Sequence, residues 1–188
     1  MDYPLSQLRK YQELSPVLIA DLIKRIRIIE PKRNNTLLLP GDICRDLYLI
    51  EKGVLACYDH ESDRKYCSWI MTPGDFVTAV DSFNRQVIST ESIVALTKSR
   101  LYALNRQDFE HLTMNHSEFQ NVRQILTDKY HIQSRVMDAK RKRPSEQFYD
   151  YLRKEFPEVV AQAPITALAS LMGITRQRLH KIIKSRSR

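Results

Sequence analysis

The chain is poor in the residues that punctuate or cross-link a fold. Among its 188 residues there are four glycines, eight prolines, three cysteines and one tryptophan. Twelve Gly and Pro together are too few for a fibrous repeat or a low-complexity tract, and an apolar fraction of 43% is that of a globular protein. Cys44, Cys57 and Cys67 are odd in number and widely spaced, with no CxxC, so reduced and partly buried thiols are expected and no metal, cluster or cofactor is implied. No stretch approaches the roughly 18 apolar residues of a membrane helix, and the first residues contain no apolar core ending at a small-residue cleavage site, so a cytoplasmic protein without a membrane partner is expected. Catalytic patterns are missing as well: there is no phosphate loop and no nucleophile motif. A small metal-holding β barrel would need clustered His and carboxylate ligands. Only His60 lies in the region of β character, while His111, His116, His131 and His180 fall in helical segments. An enzyme is not expected.

What is present is an uneven charge. Residues 1–138 hold 18 basic and 18 acidic side chains, whereas residues 139–188 hold 12 and 4, so the last fifty residues carry the whole net +8. That asymmetry favours a polyanionic partner for the C-terminal part.

Local patterns divide the chain in three. Ser15, Pro16 and the apolar spacing after them predict an amphipathic helix over 15–27. From Thr36 to Leu104 short apolar or alternating runs (TLLL, LYLIE, GVLACYD, KYCSWI, QVIST, SIVAL, RLYAL) predict an antiparallel sandwich or barrel, with turns at Pro40-Gly41-Asp42, Lys52-Gly53, Asp59 to Asp63 and Pro73-Gly74-Asp75. Helical periodicity returns in RQDFEHLTMN and again over 117–139, where Val122, Ile125, Ile132 and Val136 approximate the inner seam of a coiled coil that Lys129 interrupts. Such a helix either lies on its own β layer or packs against a second copy. Lys140 to Arg143 before Pro144 mark a hinge and possible phosphate contact. A further helix is predicted over 145–156, with a Ser145 cap and a stop at Pro157.

Residues 166–184, TALASLMGITRQRLHKIIK, carry the most specific signal. With Ile165 as position one of a helix-turn-helix, Ala169 falls at position five, where the helices cross, and Gly173 at nine, where the turn needs a left-handed backbone. Leu168, Met172, Ile174, Leu179 and Ile182 take the inward positions. Thr175 can cap the second helix. Arg176, Gln177, His180, Lys181 and Lys184 then share the opposite face of a segment about 15 Å long, suited to a DNA major groove. Arg176, Gln177 and Lys181 are best placed for base edges, and Thr175, Lys184, Arg186 and Arg188 for phosphates.

This order of β sandwich, long helix and helix-turn-helix resembles the cyclic-AMP receptor protein (Crp/Fnr) family of bacterial transcription regulators. The resemblance rests on PGDICRDLYLIEKGVLACYD, KYCSWIMTPGDFV, SIVALTKSRLYALNRQDFEHL and ITALASLMGITRQRLHKIIK, and covers nearly the whole chain. It implies an α+β fold: a cyclic-nucleotide-binding-like jelly roll over 1–115, a dimerisation helix and hinge over 116–143, and an all-helical DNA-binding domain over 144–188. It also implies a homodimer reading a two-fold pseudo-palindrome in double-stranded DNA, with RNA polymerase as a further partner and a small-molecule effector whose identity is open.

Two departures from the family pattern matter. Relatives that bind cyclic AMP place an arginine on the cyclic phosphate, and here the matching segment is Ser89-Thr90-Glu91, so control by cyclic AMP in the usual way is not expected. Gly74, Asp75, Ser89 and Thr90 mark where the corresponding pocket should lie. Only Ser185 to Arg188 follow Lys184, so no β-hairpin wing is expected; a basic tail there could supply phosphate contact or fray. The N-terminal cysteines of the oxygen-sensing branch are also missing, which argues against an iron-sulfur switch. The competing reading is a ligand-sensing module that controls a protein partner, which leaves the helix-turn-helix spacing unexplained.

Overall fold

The computed structural model describes residues 1–61 and 64–186. Two short helices lead in: α1 (Asp2–Leu8) and α2 (Pro16–Arg25). Ser15 caps α2, its Oγ accepting from Leu18 N–H at 3.2 Å, and Pro16 supplies a preset first turn. Eight strands follow: β1 (Arg27–Ile29), β2 (Thr36–Leu38), β3 (Asp46–Lys52), β4 (Leu55–Glu61), β5 (Arg64–Met71), β6 (Phe76–Val77), β7 (Glu91–Ala95) and β8 (Arg100–Asn105), with helix α3 (Val80–Arg85) between β6 and β7. They form two four-stranded sheets of order β1-β8-β3-β6 and β2-β7-β4-β5, paired antiparallel throughout. This is the expected jelly-roll sandwich. Its inner core, with Leu55, Cys57, Ile93 and Leu101, is closed by Leu18 and Leu22 of α2 and by Leu112.

Gly53 shows why glycine is spent where it is. Its φ is +98°, and an added Cβ would lie 2.2 Å from Ser99 Oγ and 2.8 Å from the Lys98 carbonyl oxygen. Neither the strain nor the space admits a side chain.

Three local expectations need correction. The run QVIST is not a strand: α3 ends at Gln86 in the left-handed region (φ 53°), and residues 86–90 form a loop with one isolated bridge, Ile43 to Ile88. Backbone bonds still hold its end, with Ser89 N–H donating to Asp42 O and Gly41 N–H to Ser89 O, both at 2.9 Å, and side chains add Ser82 Oγ donating to Val87 O at 2.6 Å and Gln86 Nε2 to Phe83 O at 2.8 Å. Of the turn expected at Asp59 to Asp63, residues 59–61 are strand instead, since β4 continues through Glu61, and residues 62–63 lie outside the described ones. Ser145 begins its helix without capping it.

The C-terminal half is helical: α4 (Arg106–Asn115), α5 (Ser117–Arg141), α6 (Ser145–Glu155), α7 (Pro157–Gln162), α8 (Ile165–Leu171) and α9 (Arg176–Arg186). Pro157 stops α6 as expected and then opens α7, the first-turn position proline favours. Val122 of α5 is 2% exposed and belongs to the chain's own core, whereas Ile125, Ile132 and Val136 are 39%, 62% and 38% exposed. The predicted seam is therefore split, with its first member turned inward.

The helices 145–186 do not stand apart from the sandwich. A second core joins Val54, Ala56 and Ile70 on the outer face of the β4–β5 sheet to Phe148, Leu152 and Leu168. β5 is an edge strand, and α8 lies against it. Ser170 Oγ accepts from the backbone N–H of Cys67 at 2.9 Å, and Arg141 donates to the Ser68 carbonyl. Groups that an open edge would leave to solvent are thereby satisfied.

Candidate nucleic-acid interface and effector cavity

Gly173 adopts φ +65°. Around it, Ile174 N–H donates to Ala169 O at 3.0 Å and Gly173 N–H to Ser170 O at 3.1 Å, the paired bonds that close a helix through a left-handed residue. Thr175 then starts α9, its Oγ1 accepting from Arg178 N–H at 3.2 Å. Leu168, Ala169, Met172, Leu179 and Ile182 are buried and Ile174 is half-buried. The local pattern that predicts two crossing helices is thus realised at each position.

The cations of α9 fall into two sets. Arg178 pairs with Glu146 at 3.2 Å, and Arg186 grips Asp150 with two bonds of 2.9 and 2.8 Å. Those acids belong to α6, so Arg178 and Arg186 hold α9 on its neighbour; Asp150 is held below the usual carboxylate range by Arg186. Arg176, Gln177, His180, Lys181 and Lys184 are exposed, and their side chains make no hydrogen bond or ion pair among the described residues. Arg186, expected at a phosphate, is engaged instead with Asp150, and Arg188 lies outside the described residues. In the hinge, Lys140 sits over the Tyr151 ring, 4.9 Å from its centroid, while Lys142 and Arg143 are exposed.

A cavity of about 190 Å³ opens between the sandwich and α5. Aromatic rings wall it (Trp69, Phe76, Phe83, Phe109, Tyr130), and Phe156, at the junction of α6 and α7, reaches it from the C-terminal half. Its charged members are Asp75, Glu91, Arg123 and Lys129. Burial raises Asp75 above its ordinary range. Glu91 is pushed up to about 7, first by burial and then by the neighbouring acids Asp59 and Asp81. Gly74 and Asp75 line this space. Ser89 and Thr90 do not: Ser89 is buried with its Oγ turned back onto Glu91, accepting from Glu91 N–H at 3.0 Å and donating to Glu91 O at 3.1 Å, and Thr90 is exposed.

Residues 29–116 match the family model of the cyclic nucleotide-binding domain. Solved structures extend the likeness to the helical half. The c-di-GMP responsive global regulator CLP of Xanthomonas campestris superposes with a TM-score of 0.70 at 14% identity, over 92% of each chain. A Crp/Fnr-family protein from Eubacterium rectale gives 0.70 at 12% identity, over 92% of this chain and 83% of that one. FixK2 of Bradyrhizobium japonicum gives 0.70 at 10% identity, over 85% and 83%. The chain has the Crp/Fnr fold. No curated protein sequence matches it.

Within the Crp/Fnr fold, the cavity wall draws on residues that no local motif marks. Tyr130 and Lys129 come from α5, Trp69 from β5 and Phe156 from the α6–α7 junction; only their separate apolar patterns were visible in sequence. The three thiols are free and buried. Burial raises Cys57 well above its ordinary value and Cys67 to about 12, so neither is a reactive thiolate. Among the described residues no group of three or more His, Cys, Asp or Glu is placed to hold a metal ion, and no helix is long and apolar enough to cross a membrane.

Proposed function

We propose that the chain is a sequence-specific transcription regulator that binds double-stranded DNA as a homodimer, with α9 in the major groove of each half of a two-fold pseudo-palindrome. The observation that carries this reading is the unpartnered face of α9. Arg176, Gln177, His180, Lys181 and Lys184 project from a helix whose other face is locked by Leu179 and Ile182, so the tips are presented on a rigid support. Arg176 and Gln177 stand in the first turn, where base edges are read, while Lys184 is two turns further on and meets phosphate. Ile125, Ile132 and Val136 form the apolar strip through which α5 meets its symmetry mate. Lys129, which would interrupt that strip, folds toward Tyr11 of its own chain, with Nζ donating to the hydroxyl at 3.3 Å. The cavity is the place for an effector other than cyclic AMP, since no arginine stands at Ser89.

Selection of bound sites from a random duplex pool tests the reading, with an inverted repeat expected at half-sites about one helical turn apart. Arg176→Ala should cost about 1–3 kcal/mol and relax preference at one base pair, while Lys184→Ala should weaken all sequences alike. Equal losses for Arg176→Ala on selected and random duplex would refute the assignment. Affinity should also fall steeply between about 50 and 200 mM salt; a salt-insensitive protein partner captured in place of DNA would favour a module acting on another protein.

A further inference from the structure

The charged groups on the cavity wall are not alike. Lys129 lies close enough to Asp75 to offset part of its charge, and Arg123 is spread over the Phe109 ring, 5.7 Å from its centroid. Those two cations already have partners. Glu91 also stands on the wall, with Cys57 and Tyr130. The charges acting on Glu91 are Asp59 and Asp81, and those acting on Tyr130 are Glu91, Cys57, Asp81 and Asp138, all of them acids or a thiol. Among the described residues the Glu91 carboxylate has no hydrogen bond or ion pair of its own.

A half-buried carboxylate that faces only other acids, beside aromatic rings, is satisfied by an incoming ammonium group. The ammonium gains a charge-assisted hydrogen bond, lies against a ring face and relieves the repulsion among the acids. An anion beside Glu91 would add to that repulsion. The remaining wall, with Trp69, Met71, Phe76 and Phe83, asks for an apolar body. Size sets the scale: an apolar cavity of about 150 Å³ is known to hold one benzene ring, and this one is about 190 Å³.

We propose that the cavity binds a small organic amine, one ring or a short branched chain carrying a single ammonium group, with the ammonium on Glu91 and the body among Trp69, Phe76 and Phe83. The inference rests on the cavity being an effector site and not on DNA reading. A ligand seated there touches Phe156 as well as α5, and so bears on both halves of the chain.

Calorimetric titration and thermal denaturation of the full chain at pH 8 test it, with 2-phenylethylamine, 2-phenylethanol, phenylacetate and cyclic AMP as probes. The amine should bind saturably and raise the melting temperature, and the alcohol and the acid should bind at least tenfold more weakly. Glu91→Gln should weaken the amine about tenfold, a step of 1.4 kcal/mol, and a cooperative melting transition of the variant without ligand shows that it is folded. Amine binding as weak as that of phenylacetate or cyclic AMP, no binding by any probe, or full amine affinity in Glu91→Gln would each overturn the proposal. DNA affinity is scored separately: a protein that binds the amine but no operator sinks the DNA reading alone, and the reverse result sinks this one alone.

Discussion

Gly173→Ala isolates the conformational requirement of the turn between α8 and α9, on which the proposed DNA reading depends. Gly173 sits at φ +65°, and a Cβ built there meets nothing within 4 Å. No clash enters, so the cost is that of holding an L residue in the left-handed region, about 1–2 kcal/mol. Against this, alanine restricts the unfolded chain and returns about 0.4–1 kcal/mol. The net expectation is a destabilisation of about 1 kcal/mol, or about 2–4 °C in melting temperature for a chain of this size. Asparagine tolerates the left-handed region better, so Gly173→Asn should fall between glycine and alanine. Gly53→Ala is the contrast: φ is +98° and the Cβ would overlap Ser99 and the Lys98 backbone, so its loss should exceed that of Gly173→Ala. Urea and thermal unfolding of the four proteins give the order directly. An unchanged or stabilised Gly173→Ala, or a Gly53→Ala no worse than it, would show that the turn is not held as described.

Three further outcomes are expected. Ile132→Glu should place like charges across the exposed strip of α5 and raise the dimer dissociation constant about tenfold or more, seen by sedimentation or light scattering; a dimer that persists at low micromolar concentration would move the interface elsewhere. Ser170→Ala should cost about 1–3 kcal/mol in urea unfolding, since the buried Cys67 N–H loses its acceptor, and a neutral result would mean that water replaces the hydroxyl. Glu91 has a folded value of about 7 against 4.5, so between those values the folded protein keeps a proton that the unfolded chain has released. Stability should therefore fall as pH rises through that window, by about 1–2 kcal/mol after discounting for solvent at a half-buried site. Glu91→Gln should flatten that slope when urea midpoints are measured from pH 4.5 to 7.5.

What was legible in the sequence was what is fixed by neighbours in the chain. The helix-turn-helix is written in twenty residues because the Ala169 crossing, the Gly173 backbone and the inward set are all local requirements. Ser15, Thr175 and the glycine turns were readable for the same reason. The α5 seam was only half readable, because periodicity gives a face and not its partner: Phe119 beside Val122 pulls the start of the helix into the chain's own core, while Ile132 and Val136 are left outside. The QVIST run reads as a strand because β-branched residues also suit an extended loop, here held by backbone bonds of Ser89 to Gly41 and Asp42 and by the Ser82 and Gln86 side chains. Of the four positions that mark the pocket by resemblance, Gly74 and Asp75 line the cavity, whereas the Ser89 hydroxyl is consumed by the Glu91 backbone and Thr90 is exposed; the rest of the wall includes α5 and Phe156, residues about 34 to 67 positions beyond Ser89 in the chain.

The packing of helices 145–186 on the sandwich was not legible at all, and it changes how the two halves must be thought of together. A reading head on a free hinge would search its orientation independently of the sandwich. Here the Lys140 to Pro144 segment is bridged: Arg141 is bonded to Ser68, α8 lies on the edge strand β5, and Val54, Ala56 and Ile70 share a core with Phe148 and Leu168. The direction of α9 is then set by the outer face of the same sheet whose inner face carries Cys57 and Glu91. Close-packed interiors switch between discrete packings and do not deform gradually. A ligand that displaces Trp69 or Phe156 by a fraction of an ångström must either leave that shared core intact or break it as a unit. In the proposed dimer a half-site match in DNA would be a condition on the spacing of two α9 helices, so coupling between cavity and DNA would require this core to have two packings that differ in affinity for the ligand.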